Sequence, residues 1–323
     1  MEREFHQWLF SQMPKQSPLL LGVGDDAAVI DPSVFCDRSS GGITVTTDTI
    51  ADGTHFDLGQ HALEQIGWKA MGVNFSDLAA MGARPIAALV TFLVPQQFEL
   101  PQLQQLFLGC KSLADRHQVA IIGGDTNRWS GPLVVSVTAL GSQPMIEGEP
   151  VIWSMSGARA GDRIVVSGVF GGSLLGRHLS CEPRVELAHY LATHYRVQAA
   201  TDVSDSLSLD LQLMANASGR EQEGRIGIEV EADKIPIAVD ARLLSQRSGR
   251  TAVQHALYDG EDFELVLALD SQEWGRIQAD LHLRKSAGLW GKLTEIGRFT
   301  NGPDFRLRTG KGVETIVPQG YSH

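Results

Sequence analysis

Cysteine is scarce in this chain. Its 323 residues hold three, Cys36, Cys110 and Cys181, odd in number and far apart. That spacing excludes a disulfide framework and a zinc-type ligand set, and it leads us to expect a reducing, cytoplasmic setting. Basic runs are also missing. Lys and Arg number 27 against 38 Asp and Glu, for a net charge of -11, so no nucleic-acid partner is expected. Long apolar runs are absent. The most apolar stretch, Ile86–Val94, is too short to cross a bilayer and reads as a buried strand, so no membrane partner is expected either. The first eight residues lack the basic-then-apolar order of a signal peptide.

What remains is an ordinary globular composition, 43% hydrophobic and 20% charged, at a length that suits two domains. The acidic balance does not exclude small polyanionic ligands. A phosphate-rich ligand would, however, need cations to offset repulsion.

The chain is organised around Ile43–Phe56. Its alternating residues predict a strand that ends at Asp48, with Asp52-Gly53 as a turn and His55 beyond it. A carboxylate flanked by the hydroxyls of Thr46 and Thr47 suits a hard cation such as Mg2+. An Asp beside Gly, Ser or Thr then recurs: Gly24-Asp25-Asp26, Gly123-Gly124-Asp125-Thr126, Thr201-Asp-Val-Ser-Asp205 and Gly260-Glu261-Asp262. Taken alone, Gly24–Asp26 and Gly123–Thr126 read better as plain polar turns, and in the 201–205 motif Ser204 or Asp205 would make a good helix cap. The glycines before Asp125 would admit a phosphate, but the lysine of a Walker loop is absent.

Helices are predicted at Glu2–Met13, His61–Met81, Leu100–His117, Gly171–His178, Arg184–Arg196, from the 201–205 turn to Gly219, at Val239–Ser248 and at Ser271–Leu283. Strands are predicted at Val119–Ile122, Leu133–Leu140, Arg163–Ser167, Ile226–Val230, Phe263–Leu269, Leu289–Phe299 and Val313–Val317. Asn74 and Asp77 fall on the apolar side of the second helix, where a carboxylate is costly unless paired or metal-bound. Tyr321, near the end, reads as either a loose terminus or a lid. Irregular alternation of helix and strand suggests an α+β class with two α/β domains, 1–143 and 144–323.

Taken in order, Gly24–Asp26, Thr46–Asp48, His55, Asn74–Gly82, Gly123–Thr126, Asp202–Asp205 and Gly260–Leu265 resemble the thiamine-monophosphate kinase family, and the match covers most of the chain. The resemblance implies ATP-dependent phosphorylation of thiamine monophosphate to thiamine diphosphate. It implies the aminoimidazole ribonucleotide synthetase-like fold, with the N-terminal domain forming a homodimer through its strands. It further implies Asp26, Thr46, Thr47, Asp48, Asp77, Asp125, Asp202 and Asp205 as magnesium ligands. Gly124, Asp125 and Ser204 are implied as ATP contacts, and His55, Glu261 and Tyr321 as contacts to thiamine monophosphate. Asp48, Asp77 and Asp125 would be central to catalysis. Several positions depart from the family pattern: Met155 replaces an arginine, Ser206 a glycine, the segment between Gly172 and Pro183-Arg184 is shortened, and Tyr258-Asp259 replaces a Ser-rich lead. The first two leave open a degenerate MgATP-binding protein, beside a related enzyme with another acceptor and a metal-dependent phosphatase.

Overall fold

Hydrophobic alternation at period two builds a first sheet, and a helix without a polar face seals it. The computed structural model describes residues 19–21, 28–30, 42–221, 224–280, 282–283, 285–286 and 291–321. Strands β1 (Leu19–Leu21), β2 (Ala28–Ile30) and β3 (Ile43–Ala51) precede helix α1 (Leu63–Ala80). Strand β4 (Arg84–Pro95), helix α2 (Leu100–Arg116), β5 (Ala120–Trp129) and β6 (Val134–Ser142) follow. The sheet order is β1-β2-β3-β6-β4-β5, with β4 and β5 parallel across the α2 crossover. A small hairpin, β7 (Met145–Ile146) with β8 (Glu149–Pro150), comes next.

The second sheet starts at β9 (Arg163–Val166). Two 3-10 turns, Ser173–Leu175 and Arg177–Ser180, lead to α3 (Val185–His194), β10 (Ala199–Asp202) and α4 (Leu207–Glu221). Then come β11 (Ile226–Glu231), α5 (Val239–Ser245), α6 (Ala252–Tyr258), β12 (Leu265–Leu269) and α7 (Ser271–Ala279). Strands β13 (Thr294–Asn301), β14 (Phe305–Thr309) and β15 (Gly312–Thr315) complete the order β10-β12-β9-β13-β11-β14-β15.

Helix α1 is the joint between the sheets. It packs on β3, β4, β6 and α2 on one side, and on α3, β10, β12 and the 177–180 turn on the other. Thirteen of its residues are buried, among them Lys69, Asn74 and Ser76. A helix buried all round has no amphipathic stripe, so each polar side chain on it must find a partner inside. One hydrophobic core follows the helix across the junction, from Val29 through Phe75 to Leu283. A second, around Phe170, Ile228 and Phe299, lies under the far side of the second sheet.

Several expectations need correction. Asp48 is not at a strand end: β3 runs on to Ala51, because its ladder with β6 continues through Ala51↔Val134. The buried strand expected at Val119–Ile122 is a ten-residue strand that carries Gly123–Thr126 within it, and most of it is exposed. Ile86–Val94 belongs to a longer strand that is only half-buried, with Ile86 and Leu89 exposed. The helix expected at Gly171–His178 is instead the pair of 3-10 turns, consistent with left-handed glycines at 171, 172 and 176. Asp202 ends a strand paired with β12 rather than opening a helix. Strand β14 and helix α6 were not anticipated. The expected Glu2–Met13 helix and the Gly24–Asp26 motif lie outside the described residues.

Candidate active site

The polar row of β3 faces α1. Thr44, Thr46, Asp48 and Ile50 share that face, while Thr47 and Thr49 point to the other. Helical spacing sets Asn74 and Asp77 against this row. Thr46 Oγ1 donates to Asp77 Oδ2 at 2.6 Å, and the Asp48 amide donates to Asn74 Oδ1 at 3.1 Å. Asn74 is held by its own donation to the Ala70 carbonyl at 3.0 Å. The Thr47 hydroxyl stands on the opposite face, donating to the Val137 carbonyl at 3.1 Å.

Lys69 and Ser76, two turns apart on α1, face the second sheet instead. Ser76 Oγ donates to Asp202 Oδ2. Asp202 is buried at 2% exposure. Burial first, then the Asp48 and Asp205 carboxylates, push its pKa up to about 7. This is the electrostatic signature of a site short of positive charge. The donors gathered here are all oxygens, which fit a hard cation such as Mg2+ rather than a soft one. Among the described residues, no three acidic, histidine or cysteine side chains form a ready-made metal cage. A cation that keeps water and takes phosphate oxygens as further ligands suits so open a set.

A second group of residues gathers beside it. Gly260 has φ +77, and a Cβ there would sit 2.3 Å from the Asp205 carbonyl. Glu261 and Phe263 are non-glycine residues at φ 52 and 51, a backbone cost that persists only where surroundings enforce it. The Glu261 amide donates to the Ser204 carbonyl at 2.7 Å, and Lys69 Nζ donates to both Glu261 oxygens, at 2.9 and 2.7 Å. The other acids of the turn have partners of their own: Arg177 pairs with Asp262 and Arg184 with Glu264. His55 is half-buried; its Nδ1 accepts from the Ala51 amide at 3.1 Å and its carbonyl accepts from Lys69 Nζ at 2.7 Å. The Tyr321 hydroxyl donates to the Thr54 carbonyl at 3.0 Å, and its amide donates to the Asp205 carbonyl at 3.0 Å. The structure thus brings His55, Glu261, Tyr321, Ser204 and Asp205 to one junction.

Ser206 and Ser208 together hold that arrangement, both meeting the Gln319 backbone. The Ser206 hydroxyl accepts from the Leu209 amide at 3.0 Å and donates to the Gln319 carbonyl at 2.6 Å. The cap of α4 is therefore Ser206, not Ser204 or Asp205, and the same side chain ties the 319–321 segment over the site. Met155 packs into the second hydrophobic core.

Asp125 stands apart. It lies on edge strand β5, where its carboxylate accepts from the Thr126 amide at 2.8 Å and from Asn127 Nδ2 at 2.7 Å. The register row Thr49–Ser136–Thr91–Asp125 puts it three strand spacings from β3, roughly 14 Å. By the same alternation it faces away from the Asp48 row. Gly124 adjoins it at φ +155, so close to Val90 that a Cβ would meet its carbonyl at 1.8 Å. Sequence reasoning missed Lys69 and Ser76, and it singled out Ser206 only as a departure from a family pattern. For Lys69 there was a signal: a lysine in the middle of an apolar helix.

His178 supports the Glu261 turn through Ser173. Its Nδ1 donates to the Ser173 carbonyl at 2.9 Å, and Ser173 Oγ donates to the Glu261 carbonyl at 2.6 Å. Burial, helped by the nearby Lys69 charge, lowers its pKa to about 4. Between its ordinary value and that one the unfolded chain binds a proton that the folded chain refuses, so this group's contribution is lost as pH falls. His178→Gln is expected to gain on the native chain by up to about 3 kcal/mol between pH 6.5 and 4. Urea midpoints across that range test it, and a pH-independent difference would refute it.

Residues 24–143 match the family described as AIR synthase related protein, N-terminal domain. The fold and this match give the chain an AIR-synthase-related N-terminal domain. The thiamine-monophosphate kinase of Rhodopirellula baltica is 40% identical over 330 residues, covering 100% of this chain and 97% of that protein. The structure of AaThiL complexed with AMPPCP and TMP matches with a TM-score of 0.78 at 25% identity, over 98% of this chain and 95% of that one. That of the thiamine-monophosphate kinase from Stenotrophomonas maltophilia K279a gives 0.70 at 33% identity, over 93% and 94%. The chain belongs to the thiamine-monophosphate kinase family.

Proposed function

We propose that this chain transfers the γ-phosphoryl group of ATP to thiamine monophosphate, giving thiamine diphosphate and ADP. The observation that carries the reading is the meeting, around α1, of an acid group and an acceptor group. Asp48, Asp77, Asp202 and Asp205 form the first; His55, Glu261 and Tyr321 form the second. In this reading residues 1–143 supply the metal- and ATP-binding half and 144–323 the second domain.

The acceptor is a phosphate monoester, already ionised near neutral pH, so its oxygen needs little help from a general base. The barrier lies in bringing two polyanions together and aligning them. Bound Mg2+ would offset that charge and bridge phosphates. Asp48, Asp77, Asp202 and Asp205 would hold it, with Thr46 fixing the Asp77 carboxylate; Asp26 and Thr47 are further proposed ligands. Ser204, Gly124 and Asp125 would contact ATP. His55, Glu261 and Tyr321 would orient the acceptor for direct in-line transfer without a phosphoenzyme.

The position of Asp125 favours one arrangement. It is too far from its own Asp48 to share an ion with it, and it sits on an open edge with exposed apolar neighbours, Ile122 at 61% and Trp129 at 37%. Such an edge invites a second copy. A cytoplasmic homodimer in which Asp125 of each copy serves the other's acid group accounts for both facts. No helix among the described residues is long and apolar enough to cross a membrane.

The test is a product assay with MgATP and thiamine monophosphate. Thiamine diphosphate and ADP are expected in equal amounts, with little ADP when the acceptor is omitted. ADP without thiamine diphosphate would overturn the reading in favour of hydrolysis or another acceptor. MgATP binding without turnover would favour a degenerate binder.

A further inference from the structure

Lys69 is among the largest fully buried side chains of the described residues, and its exposure is 0%. A lysine is rarely placed so deep without a charge partner, because desolvation disfavours the ammonium. All three hydrogen bonds of its Nζ go to the acceptor group. Two reach the Glu261 carboxylate, 192 positions away on the other half of the chain, and one reaches the His55 carbonyl. The ammonium has three donors, and each is used.

Both of its partners need holding. Glu261 sits at left-handed φ beside Gly260, with its amide and carbonyl committed to Ser204 and Ser173. That fixes its backbone but not the carboxylate, which would otherwise turn about its own side-chain torsions. His55 lies in the loop after β3, which the Asp52 amide ties to the Leu133 carbonyl at 2.9 Å and Tyr321 meets at Thr54; Lys69 holds the His55 carbonyl itself.

We infer that Lys69 is a positioning residue for acceptor recognition: it fixes the Glu261 carboxylate and the His55 loop in register across the junction of the two halves. This rests on the reading of Glu261 and His55 as acceptor contacts. Lys69 itself bonds no residue proposed to contact ATP, so its loss is expected to weigh mainly on the acceptor. The group presented to the acceptor is then a hydrogen-bond acceptor of fixed direction, suited to an amino group or a cationic ring.

The experiment is a double-mutant cycle of Lys69→Met and Glu261→Gln, read as separate KM values for thiamine monophosphate and ATP. Binding of a non-hydrolysable ATP analogue, measured by calorimetry, serves as the folding control. Each single variant is expected to raise KM for thiamine monophosphate about tenfold or more, with KM for ATP changed less than about twofold. The double variant is expected to be no worse than the poorer single one, because the two residues act as a unit. Lys69→Gln keeps a donor toward Glu261 and should recover most of the lost affinity; it also carries the test if Lys69→Met fails to fold. Equal increases in both KM values would show general damage and overturn the inference, as would additive effects in the double variant. A normal KM for thiamine monophosphate in the Lys69 variants, with Glu261→Gln impaired, would overturn it while leaving the role of Glu261 standing. A normal KM in Glu261→Gln would remove that role, and the inference with it.

Discussion

Purified mixed dimers of Asp77→Asn and Asp125→Asn subunits are expected to regain about half of native activity, although each variant alone should fall about a thousandfold or more. The arithmetic follows from the proposed exchange of Asp125 between copies. In each mixed dimer, one site combines both defects and the other combines an intact Asp77 with an intact Asp125 from its neighbour. If both residues served the same copy's site, every site in every dimer would carry one defect and mixing would restore nothing. Co-expression with two different affinity tags, purification of the mixed species and measurement of kcat decide between the two. The Asn replacements keep shape and hydrogen bonding, so unfolding should not confuse the result. Asp77→Asn turning over like the native chain would remove the acid group from the mechanism altogether.

Asp202→Asn is expected to raise the melting temperature of the metal-free protein while abolishing activity. In the folded chain Asp202 is buried between the Asp48 and Asp205 carboxylates, and its pKa stands near 7 against an ordinary value of 3.8. Folding therefore becomes less favourable as pH rises from about 4 to about 7, because the unfolded carboxylate ionises first. Asparagine removes that penalty and still accepts from Ser76. The gain should be a few kcal/mol at pH 8, seen as several degrees in melting temperature, and should vanish near pH 4. A cation restores the balance in the native protein by favouring the ionised form. Magnesium with a non-hydrolysable ATP analogue should thus stabilise the native chain strongly and the variant far less. An Asp202→Asn protein that melts below the native one at pH 8 would contradict this account. The opposite slope of His178 partly masks the effect in the native chain, which is why the comparison with a variant is needed.

Much of this could be read from the chain, and the exceptions share a cause. Helix α1 declared itself by spacing, and Asp77 stood out because a carboxylate on an apolar helix face demands a partner; Thr46 is one. The order of the acid motifs was legible because each pairs an acid with a small or hydroxyl-bearing neighbour. What could not be read was pairing across sequence distance. Thr201–Asp205 looked like a helix cap because Ser and Asp favour caps, yet β12 recruits Ala199–Asp202 into a ladder. Gly123-Gly124 looked like a loop because glycine favours turns, yet β4 holds it in strand pairing. Ser206 looked like a departure from a family pattern; only the fold shows that it meets Gln319. Lys69 could be flagged as odd, but nothing near it in sequence points to residue 261.

The joint at α1 also bears on how this chain is made. Trp68 Nε1 donates to the Cys181 carbonyl at 2.7 Å, the site of Gly72 lies against Cys181 Sγ, and Lys69 and Ser76 reach Glu261 and Asp202. During synthesis the helix leaves the ribosome more than a hundred residues before these partners do. For that interval its first sheet covers one side only, and the other presents buried-type residues, a lysine and a serine to water. The nascent first half is thus an unfinished core rather than an independent unit, and chaperone demand during translation should be greatest until β12 emerges.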